Sequence, residues 1–177
     1  MWCVPKLDDE FIERMEDVLE LYSREYDPKE PVLCVDEKSV QLLEHSRAPI
    51  PPSAGRVAKV DHEYTRQGTA NIFACFEPKQ GKPILRATER RTAKDFAHFL
   101  QSLLTLHPRA RTIHLVMDNL NTHFEKSLIT TFGKRRGKAI WRRFTVHYTP
   151  KHASWLNQAE LLLSAVSRAT LKRCRHP

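Results

Sequence analysis

Several features of familiar protein classes are missing from this sequence. It has five glycines among 177 residues, so it is neither collagen-like nor a flexible linker. Its apolar runs, such as the three leucines at 161–163, are far shorter than the roughly 20 residues of a membrane-spanning helix. The first residues lack a basic region followed by an apolar stretch, so they do not predict a signal peptide. We therefore expect no membrane partner.

Cysteine is scarce and scattered. Cys3, Cys34, Cys75 and Cys174 lack the spacing of a zinc site or of a small disulfide framework. We therefore expect reduced thiols and a cytoplasmic protein. The sequence also lacks a glycine-rich phosphate loop, a Gly-x-Ser-x-Gly elbow and a His-Glu-x-x-His zinc motif. Nucleotide-driven enzymes, serine hydrolases of that type and zinc peptidases are disfavoured.

Positive charge is in excess. The chain has 29 Lys and Arg against 21 Asp and Glu, which leaves a net charge of +8. Such a surplus favours a polyanionic partner, above all nucleic acid, although a basic protein without one remains an alternative.

Hydrophobic patterning predicts an α/β fold. Apolar segments rich in β-branched and aromatic residues predict strands at 31–35, 70–76, 83–87, 112–117 and 144–148. Helical periodicity predicts helices at 8–24, 93–105, near 124–131 and at 155–171, with Thr92 and Ser154 as caps. The turn at 80–82 predicts a hairpin, so the sheet should be mixed, with helices packed on it.

Two predicted strands are each followed by an aspartate. Asp36 comes after one apolar run and Asp118 after another. If these strands are parallel neighbours, both carboxylates lie at one edge of the sheet, where functional groups gather in α/β folds. A bound cation relieves the repulsion between such carboxylates, and their oxygen atoms suit Mg²⁺ or Mn²⁺. A turn residue without chemistry is the alternative for each.

A third acid lies in the last predicted helix. Glu160 shares a polar stripe with Asn157, Ser164 and Ser167, about two turns into that helix. A solvent-exposed helical acid is the alternative. The neighbouring Trp155 is expected to pack in the core. Converging carboxylates on a basic protein indicate two-metal phosphoryl chemistry.

Three blocks of sequence resemble a known family. They are CVDEKS at 34–39, VMDNLNTH at 116–123 and HYTPKHASWLNQAE at 147–160, joined by GTAN at 68–71 and TERRT at 88–92. They resemble the catalytic blocks of DDE transposases from bacterial insertion sequences, in the Tc/mariner superfamily. The resemblance extends from about residue 1 to 168.

The resemblance implies a fold and a catalytic site. It implies a ribonuclease-H-like mixed sheet flanked by helices, with Asp36, Asp118 and Glu160 as catalytic and metal-binding residues. The cofactor would be Mg²⁺ or Mn²⁺, and the activity would be DNA cleavage at transposon ends followed by strand transfer to target DNA. Residues 1–30 would form a linker and an N-terminal helix, and residues 31–177 the catalytic domain. The family analogy also suggests a homodimer.

Further residues are candidates for DNA contact. Those matching the family blocks are Asn119, Asn121, His123, Lys151 and His152. Arg135 and Arg136 lie in the basic stretch 133–138, which reads equally as a solvated loop made mobile by Gly133 and Gly137.

The chain also departs from the family pattern. By comparison with the family pattern, we expect this sequence to begin after the helix-turn-helix region that recognises transposon ends and to stop before the usual C-terminal helix. The sequence therefore leaves two alternatives beside a truncated transposase catalytic domain. One is an inert basic DNA-binding fragment, and the other is a different ribonuclease-H-like nuclease.

Overall fold

The computed structural model of the chain describes residues 7–59, 61, 63–118 and 125–171. The elements are α1 (Asp9–Ser23), β1 (Val32–His45), β2 (Tyr64–Glu77), β3 (Lys82–Thr88), α2 (Ala93–Leu106), β4 (Ile113–Met117), α3 (Glu125–Phe132), α4 (Lys134–Trp141), β5 (Phe144–Tyr148), a 3₁₀ turn (Ser154–Leu156), α5 (Ala159–Val166) and a π-helical turn (Ser167–Leu171). All five predicted strands form one sheet, in the order β3-β2-β1-β4-β5.

Local capping explains where the first two helices begin. The backbone N–H of Phe11 donates to Asp8 Oδ1 at 3.0 Å, which satisfies a donor that the first turn of α1 leaves open. At α2, Asp95 N donates to Thr92 Oγ1 and Thr92 N donates to Asp95 Oδ2, which is a capping box. The predicted cap at Thr92 is confirmed.

The first three strands form an antiparallel unit. β2 pairs with β3 around the predicted turn, which confirms the hairpin. β1 pairs with β2 from Cys34 opposite Phe76 to His45 opposite Tyr64. The prediction that the first strand ends before Asp36 is wrong. Polar residues after Asp36 stay extended because β2 satisfies their backbone hydrogen bonds.

The other two strands add in parallel. β1 runs parallel to β4, with Cys34 opposite Val116, and β4 runs parallel to β5, with Met117 opposite Tyr148. The sheet is therefore mixed, as predicted.

Each face of the sheet carries its own apolar cluster. The α2 cluster joins one face to α2, α3 and α4, and includes Leu33, Val35, Phe73, Phe96, Phe99, Leu115, Met117, Leu128 and Ile140. The α1 cluster covers the opposite face with α1 and the start of α5, and consists of Phe11, Val18, Leu21, Val32, Cys34, Val116, Ala153, Leu156 and Ala159. The middle strands are thus buried on both sides.

Polar contacts fasten α1 over its cluster. The Tyr22 hydroxyl donates to the Leu156 carbonyl oxygen at 2.8 Å and also contacts Cys34 Sγ at 3.1 Å. His147 hydrogen-bonds both to Asp17, at 2.7 Å, and to the buried His114, at 2.9 Å. α1 therefore braces the 3₁₀ turn that precedes α5.

The basic stretch 133–138 is not a mobile loop. Residues 134–138 lie in α4, which Gly133 precedes as its N-cap and which packs directly on α3. A Cβ atom at Gly137 would come within 2.6 Å of the Ile129 backbone, so this glycine permits the close approach of the two helices.

The last helix also begins later than predicted. Ser154 starts a 3₁₀ turn, and α5 begins only at Ala159. In the described part of the chain, no helix is long and apolar enough to cross a membrane.

Candidate active site

The sheet register brings Asp36 beside Asp118. Cys34 lies opposite Val116 in the parallel pair, and continuing that register by two residues sets the two aspartates side by side. Side chains alternate between the faces of a strand, and Cys34 and Val116 both belong to the α1 cluster. Both aspartates therefore face α1 and α5. Asp118 directly follows the end of β4, whereas Asp36 lies within β1.

Glu160 reaches this face from the first turn of α5. It is half-buried, and the preceding Ala159 is part of the α1 cluster. The prediction placed it about two turns into a longer helix, which is wrong because residues 154–156 form a separate 3₁₀ turn. A position in the first turn holds the carboxylate close to the end of the helix that packs on the sheet.

Asn157 joins these elements, and its role was missed in the sequence. It is 2% exposed. Its Nδ2 donates to the Val35 carbonyl oxygen at 2.8 Å, while its Oδ1 accepts from Ala159 N at 3.2 Å. One side chain thus ties the start of α5 to the residue before Asp36. Asparagine is favoured at helix N-termini, so the sequence could have suggested the contact with α5 but not the contact with β1.

The pKa of Asp36 depends on its burial and on the acids around it. The pKa of the Asp36 carboxyl is raised from 3.8 to about 6, and burial is the largest cause. The hydrogen bond from Glu37 N, at 2.8 Å, lowers this pKa, while the neighbouring carboxylates of Glu37, Asp118 and Glu160 contribute to raising it. The negative charges of Asp118 and Glu160 therefore both act on Asp36.

Glu37 belongs to the other face of β1. Its side chain is buried, and Arg91 Nη1 approaches it to 3.5 Å. This ion pair offsets the Glu37 charge, which distinguishes it from the acids on the α5 face.

The donor set fits a hard divalent cation. Carboxylate oxygen atoms are the ligands that Mg²⁺ and Mn²⁺ prefer, and burial of Asp36 among further carboxylates is the situation that a cation relieves. Within the described ranges, no three His, Cys, Asp or Glu side chains already lie together as a finished metal site. Because like charges repel, closer approach of the three acids requires a counter-charge.

The candidate DNA-contact residues fall into separate regions. Lys151 and His152 are exposed in the turn after β5, and the adjoining Thr149 N donates to Met117 O, next to Asp118. Arg135 and Arg136 are exposed on α4, which belongs to the opposite face of the sheet. The structure therefore keeps the first pair near the acids and the second pair away from them.

The remaining candidates, Asn119, Asn121 and His123, lie outside the described residues. Trp155 differs from expectation, because its side chain is 64% exposed in the 3₁₀ turn and does not pack in the core. Leu156, Asn157 and Ala159 are the buried residues of this region, and the indole lies at the surface.

The fold is shared with solved transposase structures. The Mos1 transposase paired-end complex with left transposon end matches with a TM-score of 0.57 and 16% identity, covering 96% of this chain and 51% of that one. The Mos1 mariner paired end complex with Mn matches with a TM-score of 0.55 and 17% identity, covering 97% of this chain and 52% of that one. The Mos1 Strand Transfer Complex matches with a TM-score of 0.56 and 14% identity, covering 96% of this chain and 51% of that one.

These likenesses show the ribonuclease-H-like fold that was expected, and the chain spans about half the length of the solved chains. A comparison with curated protein sequences found no match. A sequence profile for DDE superfamily endonucleases matches residues 31–177. This match covers most of the chain and contains all three acids. The chain belongs to the DDE superfamily endonuclease family.

Proposed function

We propose that this chain is the catalytic domain of a Tc/mariner-type DNA transposase, as found in insertion sequences. It cleaves DNA strands at transposon ends and joins the freed ends to target DNA. The observation that carries the proposal is the placement of Asp36, Asp118 and Glu160 by β1, β4 and α5 on one face of the sheet.

The three acids would hold Mg²⁺ or Mn²⁺. A bound pair of such ions would supply activation of the attacking oxygen and stabilisation of the leaving oxygen of a phosphodiester. Hydrolysis adds water across the P–O bond and leaves a 3′-hydroxyl and a 5′-phosphate. In strand transfer, that 3′-hydroxyl attacks a phosphodiester of the target and releases a new 3′-hydroxyl.

The other residues position the acids and the DNA. Asn157 ties the start of α5 to β1 and would, together with the apolar contacts there, position Glu160 relative to Asp36. Lys151 and His152 are exposed next to the acids and would contact the DNA backbone without reading its sequence. Arg135 and Arg136, on the opposite face, would contact a more distant part of the DNA. DNA as partner and a homodimer as the working form both belong to this proposal.

Strand nicking of plasmid DNA tests the chemistry. We expect nicking that depends on Mg²⁺ or Mn²⁺ and is lost in Asp36→Ala, Asp118→Ala and Glu160→Ala. Glu16→Ala, an exposed acid on α1, serves as the matched control and should nick like the unaltered chain. Nicking that survives all three substitutions would overturn the proposal.

Thermal melting tests the metal site without requiring activity. A cation that binds only the folded chain raises its melting temperature by mass action. We expect Mn²⁺ to raise it for the unaltered chain and for Glu16→Ala, and much less for Asp118→Ala. Salt-sensitive DNA binding with neither nicking nor a metal-dependent shift would identify an inert DNA-binding fragment.

A substrate panel separates the transposase from another nuclease of this fold. Preference for RNA–DNA hybrids or branched junctions over plain duplex would favour the structure-specific nuclease. Analytical ultracentrifugation with and without duplex DNA tests the homodimer.

A further inference from the structure

Lys38 lies on the same strand as Asp36 but is not one of the residues assigned to the site. It follows Asp36 by two positions on β1, so strand alternation puts both side chains on the face that α5 covers. Two residues advance a strand by roughly 6.6 Å. This displacement is comparable to one nucleotide step along a DNA strand.

The Lys38 ammonium is held by a neutral partner. Its Nζ donates to Ser167 Oγ at 2.7 Å, and that hydroxyl donates in turn to the Leu163 carbonyl oxygen at 2.7 Å. Ser167 follows α5, the helix that carries Glu160. The bond therefore links β1, two residues after Asp36, to the residue that follows α5, on the same face of the sheet.

A serine hydroxyl takes only one of the three donors of an ammonium. An anionic phosphate oxygen adds the attraction between opposite charges to the hydrogen bond, and a neutral hydroxyl oxygen does not. Lys38 is half-buried, so a strand laid across the acids could reach it without unfolding the surroundings. An anionic phosphate oxygen is a better partner for Lys38 than the Ser167 hydroxyl.

We propose that Lys38 binds a backbone phosphate of the DNA strand next to the phosphate that is cleaved, exchanging its bond to Ser167 for this contact. The inference rests on the proposed function, since it requires DNA to lie across the acids. It adds a residue that positions the substrate strand.

The salt dependence of DNA binding tests this contact. The probe is a short double-stranded oligonucleotide, with affinities measured over a range of salt concentrations in EDTA. Loss of one phosphate contact reduces the slope of log affinity against log salt by about 0.9. We expect this reduction in Lys38→Ala and Lys38→Gln, and a slope like that of the unaltered chain in Lys38→Arg.

Ser167→Ala is the matched control, because it breaks the same hydrogen bond and keeps the ammonium. We expect it to retain the full slope. A full slope in both Lys38→Ala and Lys38→Gln overturns the proposal, and so does an equal loss in Ser167→Ala, which would mark the bond as structural. Melting curves of each variant show that it is folded, and Lys38→Gln keeps the side-chain length if Lys38→Ala does not fold.

Kinetics of nicking place the contact relative to the cleaved bond. A phosphate held beside that bond orients it, so Lys38→Ala should lower kcat more than it raises KM. Arg135→Ala, on the opposite face of the sheet, should raise KM and leave kcat unchanged. Equal kinetics for the two variants would overturn a position next to the cleaved phosphate. Absence of nicking by the unaltered chain would instead count against the proposed function, and the binding experiment would still decide the role of Lys38.

Discussion

The Asn157 side chain donates a 2.8 Å hydrogen bond to the carbonyl oxygen of Val35, the residue immediately before Asp36. The same side chain accepts a hydrogen bond from Ala159 N, the residue immediately before Glu160. One buried amide therefore hydrogen-bonds to the backbone next to two of the three acids. The distance between β1 and α5 depends on this side chain as well as on the apolar contacts around it.

We expect Asn157→Ala to reduce activity more than stability. Leaving the Val35 carbonyl without its partner should lower the free energy of unfolding by about 1–3 kcal/mol. A displacement of Glu160 by about 1 Å would cost about 10²-fold in nicking rate. Urea unfolding and nicking assays measure the two effects. Gln158→Ala, at the next position, is the control. A variant that loses stability but nicks at the normal rate would show that Asn157 only supports the fold.

The pKa of Asp36 predicts a pH-dependent cost in the metal-free chain. The folded chain binds the Asp36 proton more tightly than the unfolded chain, since its pKa is about 6 instead of 3.8. The unfolded state therefore ionises first as the pH rises, and the free energy of unfolding falls between those two values and then levels off. The Asp36→Asn variant has no ionisable group at this position, so its free energy of unfolding does not fall in this way.

We accordingly expect Asp36→Asn to gain stability relative to the unaltered chain as the pH rises from about 4 to about 6, with a constant difference above that range. Urea unfolding in EDTA over a pH series measures it. Glu16→Gln, on the exposed side of α1, should follow the unaltered chain throughout. A difference independent of pH would mean that Asp36 is not buried among other acids.

Gly137→Ala should destabilise the protein. Helix propensity alone would make alanine in α4 more favourable by about 1 kcal/mol. The new Cβ would meet the Ile129 backbone at 2.6 Å, so α3 and α4 must separate. We expect a net loss of about 1–3 kcal/mol in the free energy of unfolding, the usual cost of overpacking. Ala139→Gly, on the exposed side of α4, measures the propensity effect alone. Unchanged or increased stability in Gly137→Ala would contradict this packing.

Trp155→Ala should weaken DNA binding without unfolding the chain. The indole is 64% exposed, so its removal should change the free energy of unfolding by less than about 0.5 kcal/mol. If unpaired bases near the cleaved bond stack on it, single-strand binding should weaken by about 1–3 kcal/mol. Fluorescence anisotropy with a single-stranded oligonucleotide measures this. Trp155→Phe should retain most of the affinity, and Leu161→Ala, an exposed apolar side chain on α5, should retain all of it. Full affinity in Trp155→Ala would exclude the stacking role.

Local signals in the sequence predicted most of the elements. The start of α2 was predictable because the hydrogen bonds between Thr92 and Asp95 that cap it lie within four residues of sequence. The five apolar segments form strands, and Asp118 follows its strand directly, as predicted. These predictions held because each depends on neighbouring residues.

The errors share another cause. β1 continues past Asp36 because β2 lies alongside it. Residues 134–141 form a helix that packs so closely on α3 that only a glycine fits at position 137. Trp155 is exposed in a turn whose buried residue, Leu156, packs in the α1 cluster. Each outcome depends on residues distant in the sequence.

The sequence by itself determined the element types, the mixed α/β class, the basic charge and which acids are candidates for chemistry. Only the tertiary structure decided that Asp36 and Asp118 are neighbours, that α5 begins at Ala159 and that Asn157 connects α5 to β1. The physical reason is range. Capping and hydrophobic periodicity act over a few residues, whereas strand register, burial and the repulsion between carboxylates act between segments that only folding brings together.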